Sequence, residues 1–128
     1  MFSHVMLGAD DMDASRRFYD ATLETLGVPP GREDEKGRVF YMTRAGVFAL
    51  TKPIDGQPAS CGNGSTIGFT AASPEQADAW HAAGLAHGGT AIEDPPGVRE
   101  GAAGKLYLAY LRDPAGNKIC ALYRLPRD

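Results

Sequence analysis

The sequence is poor in cysteine, in tryptophan and in long apolar runs. It has two cysteines, Cys61 and Cys120, and one tryptophan among 128 residues. Two cysteines cannot build the multiple-disulfide framework that stabilises small secreted domains, so we expect both to be free thiols in a reducing cytoplasm. The alternative is a single disulfide bond between Cys61 and Cys120.

Neither the charge nor the hydropathy of the chain indicates a membrane or a nucleic acid as partner. The formal net charge is −3 and the 13 basic residues are scattered, which disfavours electrostatic capture of nucleic acid or of an anionic membrane. No apolar run approaches the ~20 residues that cross a bilayer, and the first residues do not have the pattern of a signal peptide. With 43% hydrophobic residues, the chain is typical of one soluble globular domain.

The chain contains two copies of one unit, related by an offset of 62 residues. Without a gap, HVMLGADDMDASRRFYDATLETLG (4–27) aligns with TIGFTAASPEQADAWHAAGLAHGG (66–89). The type of residue is kept at most positions; Phe18, for example, meets Trp80, and both are predicted to lie in the core. Each copy is interpreted as a strand, a helix and a glycine stop.

Capping residues predict where the two helices begin. Ser73-Pro74-Glu75-Gln76 is a capping box with proline at the first helical position, and it starts the second helix. Asp10 or Asp11 caps the first helix, which ends at Gly27 because glycine readily adopts the left-handed conformation of a helix stop.

Strand patterns follow each helix. The predicted strands are Val39–Met42 and Val47–Leu50 in the first copy, and Thr90–Ile92, Leu106–Leu111 and Ile119–Tyr123 in the second. A first-copy partner of Thr90–Ile92 is expected near Val28. Asp113–Asn117 is a hairpin turn with proline and glycine at the positions that such a turn favours, and 53–64 connects the copies. The pattern is strand–helix–strand–strand–strand, twice.

This arrangement resembles the vicinal oxygen chelate superfamily, which includes glyoxalase I, extradiol dioxygenases and the bleomycin- and fosfomycin-resistance proteins. The resemblance covers essentially the whole chain and rests on FSHV in the first strand, RRFYDATLETLG in the first helix and YLRDPAGNKI before the last strand. It implies an α+β fold in a single domain, 1–128, of two βαβββ modules, about 1–54 and 64–128. Their mixed sheets would form a cup, and the resemblance also implies a homodimer.

In the metal-dependent members of the superfamily, four side chains point into the cup, one from the first and one from the last strand of each module. In glyoxalase I-like members these side chains are His or Gln and Glu. The metal holds two adjacent oxygens of the substrate or intermediate while a carboxylate moves the proton. The matching positions here are His4, Thr66, Cys120 and Phe48, or Ala49 if the alignment of the last strand shifts by one residue. Catalytic metals generally need three protein ligands. Since only His4 and Cys120 are candidates, we expect no cofactor; a divalent metal at a rearranged site is the alternative.

Both candidate ligands also have structural interpretations. His4 can make a single hydrogen bond inside a core, and Cys120 can behave as a small buried hydrophobe. If the two side chains met in the cup, His4 could lower the thiol pKa and create a Cys/His pair, either as a nucleophile or as part of a soft-metal site.

Aromatic residues suggest that the cup holds an organic ligand. Phe48, Tyr41 and Tyr110 are candidate lining residues for a molecule with apolar or aromatic parts; plain sheet packing is the alternative for each. The stretch 93–105 is interpreted as a long loop that either lies over the mouth of the cup, with Arg99 as its anion-binding group, or remains a mobile surface loop with a solvated arginine.

The sequence therefore predicts a glyoxalase/bleomycin-resistance-like protein that binds a small organic molecule in the sheet cavity without the usual metal ligands. The glyoxalase I mechanism is not supported, because the ligand positions contain no carboxylate. The competing hypothesis is a metal-dependent lyase, isomerase or dioxygenase-like enzyme with a non-standard site around His4 and Cys120.

Overall fold

The computed structural model describes residues 1–102 and 104–127. Ala103, in the predicted loop 93–105, and Asp128, the last residue of the second module, lie outside the described residues. The elements are β1 His4–Gly8, α1 Met12–Glu24, β2 Arg32–Glu33, β3 Val39–Met42, β4 Val47–Thr51, β5 Ile67–Thr70, α2 Pro74–Ala86, β6 Thr90–Ala91, β7 Gly97–Gly101, β8 Gly104–Arg112 and β9 Lys118–Arg124. None of the helices in these ranges has the length and apolar composition needed to cross a membrane.

The two helices confirm the internal repeat at the level of single residues. Each has 13 residues, and the intervals from Met12 to Pro74 and from Glu24 to Ala86 are both 62 residues. The Asp11 carboxylate accepts a hydrogen bond from the Ala14 amide, so Asp11 and not Asp10 is the cap. In the second copy the Ser73 hydroxyl accepts from the Gln76 amide, as the capping box predicts.

The strands form two mixed sheets of the same design. The first sheet has the order β1-β4-β3-β2 and the second β5-β9-β8-β6, with β7 also paired to β8. In each sheet the first strand of the repeat lies parallel to its last strand, and the other pairings are antiparallel. The predicted α+β fold of two βαβββ units is confirmed. The prediction of a strand near Val28 is wrong, because the strand of that position is Arg32–Glu33, beside Phe40 and Val39.

The interpretation of 93–105 as one long loop is also wrong. Gly97–Gly101 is a strand that pairs antiparallel with the first half of β8, with Val98 opposite Tyr107 and Arg99 opposite Leu106. The sequence pattern did not indicate this strand, because it has a glycine at each end and glycine weakens the sequence signal of a strand. Its backbone hydrogen bonds are made with the neighbouring strand β8.

Both helices pack on one side of the sheets and also contact each other. Phe18, Tyr19 and Leu23 of α1 and Trp80 of α2 are buried there, which confirms the predicted core role of Phe18 and Trp80. Gly84 lies where the two helices approach: a Cβ at this position would be 2.3 Å from Leu111 Cδ1 and 3.2 Å from Phe18 Cε2. The absence of a side chain therefore allows this close packing.

The turn between β8 and β9 joins the two modules through a buried carboxylate. Asp113 Oδ1 accepts hydrogen bonds from the amides of Ala115 and Asn117, at 3.0 and 2.8 Å. Its Oδ2 accepts from the Tyr19 hydroxyl at 2.6 Å and from Asn117 Nδ2 at 2.9 Å. Asn117 Nδ2 also donates to the Gly8 carbonyl at 3.1 Å. We call Asp113, Tyr19, Asn117 and Gly8 the Asp113 network.

Candidate functional site

Each sheet has a face covered by the helices and an open face. In the second sheet, Ile119 and Ala121 of β9 and Leu111 of β8 belong to the core. Because side chains alternate along a strand, Cys120 and its cross-strand neighbour Tyr110 lie on the open face. In the first sheet the same alternation places His4 and Met6 on the open face, opposite Val47 and Ala49.

The strand register identifies the four positions that correspond to the superfamily's ligands. Ala49 lies beside Met6 and Cys120 lies beside Gly68, and Met6 and Gly68 are equivalent under the offset of 62. Ala49 is therefore the counterpart of Cys120, and the one-residue shift considered for the sequence alignment is correct. The four positions are His4, Ala49, Thr66 and Cys120.

Phe48 does not belong to this set, so the alignment of Phe48 with Cys120 is wrong. It lies opposite Val5 on the helix-covered face, with its ring centroid 4.7 Å from that of Tyr19 and 5.2 Å from that of Phe69. The similar letters of FALTK and CALYR suggested the wrong register, because a shift of one residue reverses the face of every side chain.

The four positions do not offer the donors of the superfamily's metal site. His4 is exposed, with Nδ1 2.8 Å from the hydroxyl of its neighbour Ser3; Ala49 has no donor atom, and Thr66 offers a hydroxyl. Within residues 1–102 and 104–127, no three His, Cys, Asp or Glu side chains converge on a possible metal position. One imidazole, one hydroxyl and one thiol do not fit the His/Gln and Glu set, so these residues support no metal-dependent step of the superfamily's kind.

Cys120 is a buried, protonated thiol. Burial raises the pKa of Cys120 to about 11; Lys118 lowers it and Glu93 raises it to smaller extents. These two groups belong to the second module, and His4 is not among the groups that act on the thiol, so the Cys/His pair has no support in the structure. Cys61 and Cys120 are both free, which confirms the expected free thiols.

The two thiols are expected to differ in reactivity. In a Cys61→Ala variant, alkylation of Cys120 by iodoacetamide should remain slow at pH 8 and accelerate only as the pH approaches 11, since the thiolate is the nucleophile. In Cys120→Ala, the half-buried Cys61 should react several times faster at pH 8. Mass spectrometry of timed samples gives both rates. Equal rates at pH 8 would contradict the raised pKa of Cys120.

The open face of the second sheet combines an apolar floor with a charged pair. Leu108 and Leu122 lie opposite each other next to Tyr110 and Cys120. Lys118 Nζ lies 5.1 Å from the centroid of the Tyr110 ring and forms an ion pair with Glu93. We call Glu93, Tyr110, Lys118 and Cys120 the open-face cluster.

Glu93 holds an unusual backbone conformation in this cluster. Its φ is 59°, the one positive value for a residue other than glycine in the described part of the chain. Side chains rarely adopt this left-handed region, and such strain is concentrated at functional sites. The sequence pattern did not indicate Glu93, whose position depends on the turn after β6. Lys118 could have been found, because it lies two residues before Cys120 and therefore on the same face.

Arg99 lies on the open face of the second sheet, but its guanidinium binds backbone carbonyls of its own segment. Its guanidinium donates to the backbone carbonyls of Asp94 and Pro95, at 3.0 and 3.1 Å. This holds the segment before β7 in place. Its charge also acts on Tyr110, whose pKa is raised mainly by partial burial and lowered somewhat by Lys118 and Arg99.

Tyr41 lies on the opposite, helix-covered side. Its hydroxyl donates to Asp20 Oδ1 at 2.7 Å, and burial, followed by this carboxylate, raises its pKa. Tyr41 and Phe48 line a cavity of about 500 Å³ on that side. Of the three predicted lining aromatics, Tyr110 alone faces the open side.

Two βαβββ modules, each with a helix on one face of its sheet and an open face on the other, define the vicinal oxygen chelate type of fold. The chain belongs to the Glyoxalase/Bleomycin resistance protein/Dioxygenase superfamily, whose sequence profile matches residues 1–121.

Solved structures agree with this assignment. A glyoxalase/bleomycin resistance protein from Albidiferax ferrireducens T118 is 64% identical, with a TM-score of 0.94 over 97% of this chain and 99% of that one. A glyoxalase-related enzyme from Fulvimarina pelagi (18% identity, TM-score 0.73, 97% and 88% covered) and a lactoylglutathione lyase from Agrobacterium tumefaciens (23%, 0.67, 96% and 92%) share the fold. No curated protein matches the chain.

Proposed function

We propose that the protein binds a small organic molecule on the open face of its second sheet and does so without a resident metal. The observation that carries this proposal is the open-face cluster, in which an ion pair and a phenol lie beside an apolar floor. A small-molecule site usually consists of an apolar surface with a small number of polar groups that point toward the ligand.

The charges of the cluster indicate the kind of ligand. Lys118 and Glu93 neutralise each other, so the site offers a donor and an acceptor without a net charge. Tyr110 adds a hydroxyl, and the half-buried Leu122 offers a contact to an apolar body; Leu108 and Cys120, on the same face, are buried. A neutral molecule with an aromatic or aliphatic part and adjacent oxygen groups, such as a dicarbonyl or a catechol, complements these features.

We propose further that a second copy of the chain completes the cup, giving a homodimer. The open face of the first sheet has apolar side chains with large exposed fractions, 36% for Met6 and 58% for Met42, next to the half-buried Phe40. In such a dimer, the first sheet of one copy would cover the open face of the second sheet of the other and bury these apolar side chains.

A metal-dependent lyase, isomerase or dioxygenase-like activity is the competing function, and no feature of the site favours it. The counterpart of Cys120 is an alanine, and the thiol itself is protonated at neutral pH because its pKa is about 11. Binding of a metal would have to displace this proton, which weakens the site further.

The proposal is tested by thermal-shift screening of small aromatic and dicarbonyl compounds, because a ligand of the native state raises Tm by mass action. For a compound that binds, Lys118→Met is expected to weaken affinity at least about tenfold, since a hydrogen bond from a charged donor contributes about 1.5–3 kcal/mol. Lys105→Met is the matched control: Lys105 is exposed, pairs with Glu100 and lies outside the cluster, so its loss should leave affinity unchanged.

Two results would contradict the proposal. One is equal loss of affinity in Lys118→Met and Lys105→Met. The other is a stoichiometric transition metal in the purified protein that is lost in His4→Ala, which would favour the enzyme hypothesis instead.

A further inference from the structure

The cavity of about 500 Å³ lies at the seam between the two modules, where Gly68 of its lining is the cross-strand neighbour of Cys120 in the open-face cluster. Aromatic rings from both modules form its walls, those of Tyr41 and Phe48 on one side and Phe69 on the other. Leu26 and Val28, from the segment after α1, are also part of the apolar lining. We call this cavity the seam groove.

The groove is present because the two modules have different turns at the two ends of the boundary between them. At one end, the five residues 113–117 between β8 and β9 fill the seam through the Asp113 network, which reaches Gly8 at the end of β1. Thr70 is the counterpart of Gly8 under the offset of 62, and it lines the groove.

The turn that faces Thr70 is shorter, and its Thr43 side chain makes hydrogen bonds within the turn. Only residues 43–46 separate β3 from β4. The Thr43 hydroxyl donates to the Gly46 carbonyl at 2.8 Å and accepts from the Gly46 amide. This turn has no carboxylate and no amide side chain to reach across the seam, so the space that the Asp113 network fills at one end stays empty at the other.

We propose that the seam groove is a second binding site, specific for an uncharged small molecule with an aromatic or branched aliphatic body. Two of the 16 residues that line the groove are glycines, and none of the other 14 has a charged side chain. Transferring an ionic group into such a lining without a partner is unfavourable. A volume of about 500 Å³ is within the ~300–1,000 Å³ range of small-molecule sites. The site shares no residue with the open-face cluster and does not depend on the function proposed for it.

The test uses two fluorescent probes that share an anilinonaphthalene skeleton. N-phenyl-1-naphthylamine is neutral, and 8-anilinonaphthalene-1-sulfonate carries an added sulfonate. We expect the neutral probe to bind with one site per chain and at least tenfold more tightly than the anionic probe. Ala45→Trp, which fills the groove, should weaken binding of the neutral probe at least tenfold.

Neighbouring substitutions supply the controls. Arg44→Trp changes the same turn at a residue that does not line the groove. Tyr110→Trp enlarges a side chain of the open-face cluster on β8, a strand that is not adjacent to β5. Both variants should bind the neutral probe like the parent protein. Cooperative thermal unfolding shows that each variant is folded, and Thr70→Trp replaces Ala45→Trp if that variant does not fold. Equal affinity for the two probes, equal losses in Ala45→Trp and Arg44→Trp, a loss confined to Tyr110→Trp, or no binding to the folded parent would each overturn the proposal.

Discussion

Replacing Asp113 with alanine is expected to destabilise the protein by roughly 3–5 kcal/mol. The carboxylate accepts four hydrogen bonds, from two backbone amides, the Tyr19 hydroxyl and the Asn117 amide. Asp113 and Asn117 each have 4% of their surface exposed, and Tyr19 has none. Donors left buried without an acceptor lose about 1–3 kcal/mol each, and relaxation of the turn recovers part of that loss. Urea unfolding monitored by circular dichroism measures the change in the free energy of unfolding.

Two controls separate the contact between modules from the turn itself. Tyr19→Phe removes one donor and should cost about 1–2 kcal/mol, because the carboxylate keeps its other partners. Asp55→Ala removes a turn aspartate that accepts a backbone hydrogen bond from Gln57 on the surface, and it should change stability far less. A loss for Asp113→Ala no larger than that for Asp55→Ala would show that the buried network does not hold the modules together.

The contrast between the local turn and its long-range contacts shows how far the sequence could predict the fold. The hairpin at 113–117 was predictable, because proline and glycine act on the backbone at their own positions. The helices were predictable for the same reason, since capping residues act within one turn. The contact of Asp113 with Tyr19 joins residues 94 positions apart, and no local pattern indicates it.

At the candidate site, strand register was the main reason why the sequence alone did not predict every residue correctly. Alternation of side chains gives two possible faces for each strand, and the neighbouring strand decides between them. Phe48 was therefore assigned to the cup although it packs against Tyr19, while Ala49 occupies the open face. The position of Glu93 was hidden for a related reason, because it depends on how the segment between β6 and β7 folds against Lys118.

Replacing Gly84 with alanine is expected to destabilise the protein by about 1–2 kcal/mol, although alanine is the better helix former. The added Cβ would lie 2.3 Å from Leu111 Cδ1, and Phe18 and Thr22 leave it little room to move, at 3.2 and 3.4 Å. Overpacking of this kind costs typically 1–3 kcal/mol and occasionally more, which outweighs the ~1 kcal/mol that alanine gains over glycine in a helix. Thermal and urea unfolding of the variant measure the net effect.

The cause is isolated by a double-mutant cycle with Leu111. Leu111→Ala alone leaves a cavity and should cost about 2–5 kcal/mol, but it removes the methyl group that collides with the new Cβ. The combined variant should therefore be less destabilised than the sum of the two single changes. Ala79→Gly, on the exposed side of α2, measures the helix-propensity contribution by itself. If Gly84→Ala stabilised the protein by the same amount that Ala79→Gly destabilises it, helix propensity alone would account for the change. The close approach of α2 to α1 and β8 would then not require a glycine.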